Sequence, residues 1–517
     1  MNLLKPLVRI SCVTIFSRIL GFIRDTLIAQ TFGVSVMTDA FFIAFKLSNL
    51  LRRVFAEGAF YQIFLPILSA HKYSGDKKEI KLFISHTLGL LMVVLIILII
   101  LGLLAAPWII IMTVPGFSNV IEKFCMTILM FRIMFPYILF ISVTSLMVAV
   151  LNVWNFFLIP SFTPVFLNIS MIGYILFSKH LYFSLSVIGL AWSVIIGGIL
   201  QCIYCIPFLK RIDLLVFPKV SFRDDKIQKI CRSMGFVLIA ASSSQISLII
   251  NTILSSFLMD GSISWMFYAD RIIELPIGVF GVTLTTILLP CLSRLIAQGS
   301  TIEYLNLMNW GVKLCCVLSC PSAILLGILS KPLVITLFQY GKFSEFDVLM
   351  IQYSVIAYSI GLPGLVLVKV LTAGFYARHD TKTPIRIIII TIIFTQCMNL
   401  IGIYFLKHVA FAFSVSLGAW IHTGLLYWKL KKKYLFRLPS KCFLFFCKLI
   451  VAIFVMCIVL YLELSFITVD WSQGHFFCRL IKILGILITS ISSYLAILRC
   501  LGLRLKEFYF SNKDIHN

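Results

Sequence analysis

The chain has 517 residues, of which 61% are hydrophobic and 12% are charged, whereas a soluble domain has about 45–50% apolar and 25% charged residues. These proportions, together with a mean hydropathy of +1.05, exclude an ordinary water-soluble fold. Lys and Arg outnumber Asp and Glu by 44 to 20, but most of the basic residues stand in loops between apolar blocks, so this charge does not predict a nucleic-acid partner.

Apolar blocks of about 20 residues follow one another along the chain, and each is long enough to cross roughly 30 Å of hydrocarbon as a helix. Breaking the blocks at clusters of charge, Gly and Pro predicts an all-α polytopic membrane protein with about fourteen transmembrane helices. The predicted spans are Pro6–Ala29, Met37–Phe64, Leu82–Thr113, Phe124–Leu151, Phe162–Phe177, Phe183–Phe208, Met234–Leu258, Phe267–Leu292, Val312–Leu329, Leu349–Phe375, Ile385–Leu406, Ala410–Trp428, Phe443–Leu464 and Leu480–Leu501.

The distribution of basic residues over the loops predicts the orientation of the chain. The second, sixth, tenth and twelfth loops and the C-terminal tail are rich in Lys and Arg, whereas the odd-numbered loops carry scattered lysines such as Lys123. Cytoplasmic loops are the basic ones in membrane proteins. Both termini are therefore predicted to lie in the cytoplasm, and the first helix, which resembles a signal segment but has no cleavage site, is expected to be retained.

A faint internal repeat divides the chain into halves. Leu65–Ser69 recurs as Leu289–Ser293 with an offset of 224, and the same offset places Pro160 on Pro384. Parallel repeats of this kind are used by transporters that bind substrate between two lobes. The predicted domains are an N-terminal six-helix lobe at 1–222, a C-terminal six-helix lobe at 223–436, and two extra helices with a tail at 437–517.

The first predicted span carries a polar stripe, from which Arg24 projects on a neighbouring face. The stripe consists of Ser11, Thr14, Arg18, Gly21 and Asp25.

In the second span, four charged residues are spaced by 7, 7 and 4, which keeps them within roughly 40° of one another on a helix. Arg52 points elsewhere from the same turn. The four residues are Asp39, Lys46, Arg53 and Glu57.

The eighth span begins with a third charged group, in which Asp270 and Glu274 share a helix face and Arg271 stands beside them. If the charged faces of these three spans meet, they line a water-filled cavity with excess positive charge, suited to a phosphate or pyrophosphate group. Two alternatives stay open. The charges could pair internally and only staple helices together, or some of them, Arg52 and Arg53 especially, could extend to the membrane surface.

Other chemistry is not indicated by the sequence. Nucleotide-binding and hydrolytic motifs such as G-x-x-x-x-G-K-[ST], H-E-x-x-H and G-x-S-x-G are absent, so no enzymatic activity and no cofactor are expected, and a coupling ion is not identified. The fifteen cysteines are interpreted as small apolar residues of the interior, not as a disulfide or metal framework. Lys448, alone in the thirteenth span, marks either a lipid groove or a side chain that reaches the interface.

Several of these segments resemble the MurJ (MviN) lipid II flippases of the MOP exporter superfamily, and the resemblance covers essentially the whole chain. The segments that carry it are Ser17–Asp25, Thr38–Phe42, Asn49–Arg53, Phe55–Phe60, Gln245–Thr252, Trp265–Glu274 and Phe338–Phe343.

The resemblance implies fourteen helices, two lobes, alternating access, and movement of an undecaprenyl-pyrophosphate-linked disaccharide-pentapeptide, lipid II, to the periplasmic face. It also implies that the last two helices form a groove for the polyprenyl tail, beside Lys448. Membrane lipids and cell-wall synthesis proteins are the other partners expected. The resemblance implies Arg18, Arg24 and Arg271 as cavity residues, with Asp39, Arg52, Arg53, Asp270 and Glu274 in supporting or gating roles. The predicted cavity set is Arg18, Arg24, Arg271, Arg52 and Arg53, and the predicted gating or supporting set is Asp39, Asp25, Lys46, Glu57, Ser264, Asp270 and Glu274.

Two other functions compete with this interpretation. An ion-coupled small-molecule or drug exporter of the same superfamily would favour an acidic, apolar cavity, whereas the charge here is basic. A non-transporting scaffold for cell-wall assembly would require the charges inside the spans to be dispensable.

Overall fold

The structure is a computed structural model. It describes residues 4–52, 76–154, 156–180, 186–220, 245–434, 441–466 and 476–503, together with isolated positions at 64, 67–69, 72, 436 and 471. Helices dominate these residues, and no strand occurs among them. The prediction of an all-α protein is confirmed.

The contacts divide the chain into two compact units. Unit 1 comprises Met1–Ser264 with Tyr340–Lys342, and unit 2 comprises Trp265–Gln339 with Phe343–Asn517. The predicted domain boundaries at residues 222 and 436 fall within or beside segments outside the described residues, so that division stays a prediction.

The helices of unit 1 follow the first seven predicted spans. They are α1 Leu4–Phe32, α2 Val36–Arg52, α3 Lys77–Leu104, α4 Ala106–Thr113, α5 Ile121–Met134, α6 Tyr137–Val153, α7 Leu158–His180, α8 Val187–Arg211 and α9 Gln245–Ser255.

The helices of unit 2 follow the remaining spans, and the first of them begins three residues before the unit boundary. They are α10 Ser262–Pro276, a π-helix at Ile277–Val282, α11 Thr283–Ala297, α12 Thr301–Ile328, α13 Ser330–Phe338, α14 Glu345–Ala377, α15 Lys382–Leu406, α16 Val409–Tyr434, α17 Lys441–Phe466 and α18 Phe476–Cys500.

Eleven helical stretches in the described part of the chain are long and apolar enough to cross a membrane. The first, second and seventh predicted spans correspond to α1, α2 and α9, which lie outside this set of eleven. The protein is thus a multi-pass membrane protein, and the count of fourteen helices stays a prediction.

Several span predictions differ from the structure in their details. The third span is divided at Ala105 and the fourth at Phe135 and Pro136, where proline has no N–H to continue the helical hydrogen bonds. The ninth begins at Thr301, earlier than the predicted Val312. Hydropathy does not predict the first turns of α12 because they are amphipathic, with polar residues alternating with buried side chains.

Within unit 1, α1 packs against α7, α7 against α8, and α2 against α5. Many large apolar side chains on the outside of these helices are exposed, as is expected for surfaces that contact lipid. Examples are Leu104, Trp108, Phe177 and Trp192, with exposed fractions of 72%, 68%, 69% and 54%.

Unit 2 is organised around α14, which packs against α11, α12, α13 and α16. Helices α14 and α16 approach closely because Gly361 faces Ser416; a Cβ atom at Gly361 would lie 2.4 Å from the Cα atom of Ser416. The last helix, α18, is joined to α12 through Tyr494, whose hydroxyl donates to the Val317 carbonyl at 2.9 Å. The two C-terminal helices therefore belong to the packing of unit 2.

Candidate functional site

Arg24 is a buried arginine of α1, with an exposed fraction of 4%. Its Nε and Nη2 donate to Oδ1 of Asp25 at 2.8 and 2.6 Å, and its Nη1 donates to Oδ1 of Asn168 on α7 at 2.9 Å. Asn168 is itself oriented by donating to the Ser17 carbonyl at 3.2 Å. The long arginine side chain thus reaches the neighbouring carboxylate although the two residues start from different helix faces, and the result is a paired charge inside unit 1.

Arg18, another predicted cavity residue of unit 1, lies on a different side of α1. Arg18 is exposed, and the six residues that separate it from Arg24 place it about 240° away around the helix. Lys46 on α2 is half-buried. The side chains of Arg52, Arg53 and Glu57 lie outside the described residues, so their predicted roles stay predictions.

Asp39 lies in the first turn of α2 and is almost completely buried, with an exposed fraction of 1%. Its carboxylate accepts hydrogen bonds from the backbone N–H and the hydroxyl of Ser264, at 3.0 and 2.6 Å, and from the N–H of Gly261 at 2.7 Å. The structure therefore brings together Asp39 and Ser264, which the sequence assigned to gating or supporting roles.

Lys123 of α5 completes this group and was missed by the sequence analysis. It is 3% exposed, and its Nζ lies 3.7 Å from Oδ2 of Asp39 and 2.5 Å from Oδ1 of Asp260. The ammonium also lies over the ring of Phe117, 3.9 Å from its centroid. We call Asp39, Lys123, Asp260, Gly261 and Ser264 the Asp39 cluster. No sequence signal distinguishes Lys123 from the other loop lysines, because its burial follows from contacts between segments far apart in the chain.

The charged segment of α10 has a different environment. Arg271 donates through Nη1 to Oε2 of Glu274 at 2.9 Å, and the side chains are 31% and 59% exposed. The guanidinium also lies 5.0 Å from the centroid of the Phe267 ring. Asp270 is exposed and lies near the hydroxyl of Tyr358 on α14. All four polar residues belong to unit 2, where they form an accessible group of mixed charge.

The helix that carries this group becomes irregular directly after it. Pro276 ends α10, and Ile277–Val282 continues as a π-helix that contains two glycines. Proline cannot donate the usual backbone hydrogen bond, and π-helical turns are frequent at functional sites.

Lys448 lies on α17 and is half-buried. Its Nζ lies near the end of α18, 3.9 Å from the position that a Cβ atom at Gly502 would occupy. This location at the junction of the last two helices is compatible both with a lipid groove and with a side chain that reaches the membrane interface.

The arrangement supports binding and conformational control more directly than it supports covalent chemistry. Each unit presents an arginine beside a carboxylate, and guanidinium groups bind phosphate oxygens in the same planar geometry in which they bind carboxylates. The cysteines that the structure describes are unbonded. Among the same residues, no group of three or more His, Cys, Asp or Glu side chains could hold a metal ion.

Comparison with known protein families gives a match over most of the chain. The family described as "Lipid II flippase MurJ" matches residues 28–482. A protein of Buchnera aphidicola subsp. Schizaphis graminum, described as "Probable lipid II flippase MurJ", is 46% identical over 508 residues, which cover 98% of each chain. "Lipid II flippase MurJ" of Burkholderia cenocepacia is 39% identical over 462 residues, covering 88% of this chain and 89% of that protein.

Solved structures give the same result for the fold. The structure described as "Lipid II flippase MurJ, inward closed conformation" superposes with a TM-score of 0.79 at 28% identity, covering 96% of this chain and 99% of that one. An inward-facing multidrug resistance MATE family transporter of the MOP superfamily superposes with a TM-score of 0.68 at 12% identity, covering 83% of this chain and 98% of that one. At that identity the second likeness concerns the fold alone.

Proposed function

The chain belongs to the MurJ family of lipid II flippases, and we propose that it moves lipid II from the cytoplasmic to the periplasmic leaflet of the bacterial inner membrane by alternating access. The observation that carries the proposal, beside family membership, is that each unit holds an arginine paired with a carboxylate within a helix. A charge near the middle of a membrane costs about 2.5–3.5 kcal/mol on insertion scales. Charged residues within membrane spans therefore usually have a partner or a ligand.

The ligand chemistry fits the diphosphate that joins the lipid tail of lipid II to its sugar headgroup. Arg24 and Arg271 each interact with one neighbouring carboxylate, Asp25 and Glu274 respectively. A diphosphate offers the same type of planar oxygen pair to a guanidinium, with more negative charge. In the proposed cycle the carboxylates hold the arginines while substrate is absent, and the diphosphate competes with them when it is present. Arg18 is exposed in α1 and serves as a further cation for the same headgroup.

The Asp39 cluster is the proposed gate on the periplasmic side. The positive-inside distribution puts the N-termini of α2, α5 and α10 at that side, and these termini supply Asp39, Lys123 and Ser264. Every described contact of the cluster is made within unit 1. Closing the cluster would seal the periplasmic side, and breaking its hydrogen bonds would open it. Lys448, at the junction of the last two helices, is assigned to the mouth of the groove for the polyprenyl tail.

The test is reconstitution of the full chain in proteoliposomes with lipid II, followed by measurement of its appearance in the opposite leaflet. R24A and R271A should abolish this transport while the protein remains folded. The matched controls are R132A and R294A, which remove exposed arginines from α5 and α11. Normal transport by R24A and R271A would reject the proposal, and equal loss in all four variants would show a general effect of removing charge.

A further inference from the structure

A lysine that the sequence analysis did not single out lies inside the most buried helix of unit 2. Lys369 interrupts the apolar run Leu365–Leu371 of α14, eight residues before the helix ends at Ala377. Its side chain is exposed, although Val366 and Val370 beside it are both 0% exposed. An exposed charge within a membrane-spanning helix requires either water or a ligand around it.

The position of Lys369 relates it to the charged segment of α10. Tyr358, which lies near Asp270, precedes Lys369 by eleven residues on the same helix. Eleven residues make three helical turns plus about 20°, so the two side chains share a face and are separated by about 16 Å along the axis. The face continues with Thr372, which is half-buried, and Tyr376, which is 39% exposed. The face is thus buried at Tyr358 and becomes accessible and polar toward the end of α14.

The neighbouring π-helix leaves room for the lysine. Helix α14 packs against Ile277–Val282, and a Cβ atom at Gly281 would lie 3.3 Å from Cγ of Lys369. The aliphatic part of the side chain therefore lies against a glycine, in a part of the helix whose regular hydrogen bonding is interrupted. A larger residue at position 281 would be in tight contact with the Lys369 side chain. The close packing of Lys369 here therefore depends on Gly281.

The charge of Lys369 is not neutralised by an acidic side chain in the described part of the protein. None of the ion pairs formed by these residues includes it. His422 of α16 lies within electrostatic range and cannot supply a negative charge. Asp270 is near Tyr358, about three turns away along α14, and Glu274 is paired with Arg271. The surroundings of Lys369 therefore favour the binding of an anionic ligand.

We propose that Lys369 is a second cationic station for the diphosphate of the lipid-linked substrate, placed toward the cytoplasmic end of α14. The proposal rests on the proposed function, which supplies the substrate class and the orientation. A diphosphate is shorter than the separation of about 16 Å between this station and the level of Tyr358. One headgroup consequently contacts the Lys369 station and the Arg271 group in succession, with Lys369 reached first from the cytoplasm.

Binding to the detergent-solubilised full chain tests this assignment. Undecaprenyl pyrophosphate is the probe, and undecaprenol is the uncharged comparison. K369Q should raise the Kd for undecaprenyl pyrophosphate about tenfold, the loss expected for one hydrogen bond to a charged group. K369R should restore binding to within about threefold of the original chain, because arginine keeps the charge. The Kd for undecaprenol should not change.

The control variant is K429Q, which makes the same change of charge in α16, where Lys429 lies over the ring of Trp428. It should bind both lipids as the original chain does. An unchanged Kd for undecaprenyl pyrophosphate in K369Q, or an equal loss of binding to undecaprenol, would overturn the assignment. Displacement of the probe from the original chain by an equal concentration of phosphatidylglycerol would also overturn it, since the station would then serve ordinary lipid headgroups.

The same measurements separate this assignment from the proposed function. If the original chain neither binds nor transports lipid II, the proposed function fails. If the original chain binds and transports lipid II and K369Q behaves identically, only the proposed role of Lys369 is rejected.

Discussion

The two arginine–carboxylate pairs have the same chemistry and opposite environments. Arg24 and Asp25 have side chains that are 5% and 1% exposed, and Asn168 fixes the guanidinium from a second helix. Arg271 and Glu274 have side chains that are 31% and 59% exposed, near the end of α10 and directly before the helix becomes irregular. Water or a ligand can reach the second pair without rearrangement of the helices, whereas the first is part of the packing of unit 1.

This difference indicates two roles for arginine in one transport cycle. An exposed pair exchanges partners at little cost because solvent already screens it. A buried pair does so only when its surroundings open, because removing one partner leaves an uncompensated charge in a medium of low polarity. Under the proposed function, Arg271 would be the arginine that substrate reaches in this conformation, and Arg24 would become accessible only after a structural change.

The largest predicted effect separates the two pairs by stability. R24A removes the buried guanidinium that binds the Asp25 carboxylate and Asn168, and should destabilise the protein by about 3–5 kcal/mol. R271A should change stability by less than about 1 kcal/mol. Thermal unfolding of the two detergent-solubilised variants measures the difference. Equal shifts in melting temperature would mean that burial does not distinguish the pairs.

The next effect concerns the Asp39 cluster, which is buried like the Arg24 pair but is proposed to open. K123M removes the cation beside Asp39 and should favour opening, since Asp39 would otherwise stay buried as an unpaired charge. The added mutation D39N removes that charge and should partly restore closure, with a coupling of about 0.5–3 kcal/mol between the two positions.

Labelling of S262C by a membrane-impermeant maleimide reports on opening of this cluster, since Ser262 is 1% exposed. K123M should raise the labelling rate about tenfold, which corresponds to about 1.4 kcal/mol, and the double variant should label more slowly than K123M. The same variants without S262C give the background from native cysteines. Faster labelling in the double variant than in K123M would argue against a charge pair at the gate.

Parts of this account could be predicted from the sequence. The helical class follows from hydropathy, and the charged segments of α1, α2 and α10 stand out because charges are rare inside spans. The pairing of Arg24 with Asp25 and Asn168 could not be predicted, because Asn168 is 144 residues away and helical spacing says nothing about which helices are neighbours.

Lys123 and Lys369 were missed for opposite reasons. Lys123 was placed among loop charges, yet it is buried against Phe117 and two acidic residues. Lys369 is a single charge without a repeat or a stripe, so periodicity did not select it. Lys123 is recognised from its burial and its partners, and Lys369 from its exposure within a buried helix and its contact with Gly281, all of which are properties of the tertiary structure.

A smaller effect tests the packing of α14, the helix that carries Tyr358, against α16. G361A would bring a Cβ atom to 2.4 Å from the Cα atom of Ser416 and should destabilise the protein by about 1–3 kcal/mol through overpacking. The matched control is G424A on α16, where a Cβ atom would meet nothing within 4 Å. That variant should be neutral or slightly more stable. Equal melting temperatures for the two would show that the α14–α16 contact is looser than described.

The smallest effect belongs to an ion pair at the loop between α14 and α15. Some burial of Asp380 tends to raise the pKa of its carboxyl, but hydrogen bonds from Lys433, Thr383 and Tyr434 outweigh this and lower the pKa to about 2. Because the folded-state pKa is below the ordinary value of about 3.9, the stabilisation is present above pH 4 and is lost as the pH falls toward 2.

D380N should therefore lower the melting temperature at pH 7 by only about 1–2 °C, since much of the pair is screened by solvent. The difference between D380N and the original chain should shrink at pH 3. A difference that grows on acidification would contradict the assigned pairing.

The most direct test of the central claim compares two substrates in the same proteoliposomes. One is lipid II, and the other is an analogue in which an uncharged linker replaces the diphosphate. If cations inside the helices bind the diphosphate, the full chain should move lipid II at least about tenfold faster than the analogue, which corresponds to about 1.4 kcal/mol. Equal rates for the two substrates would contradict the account.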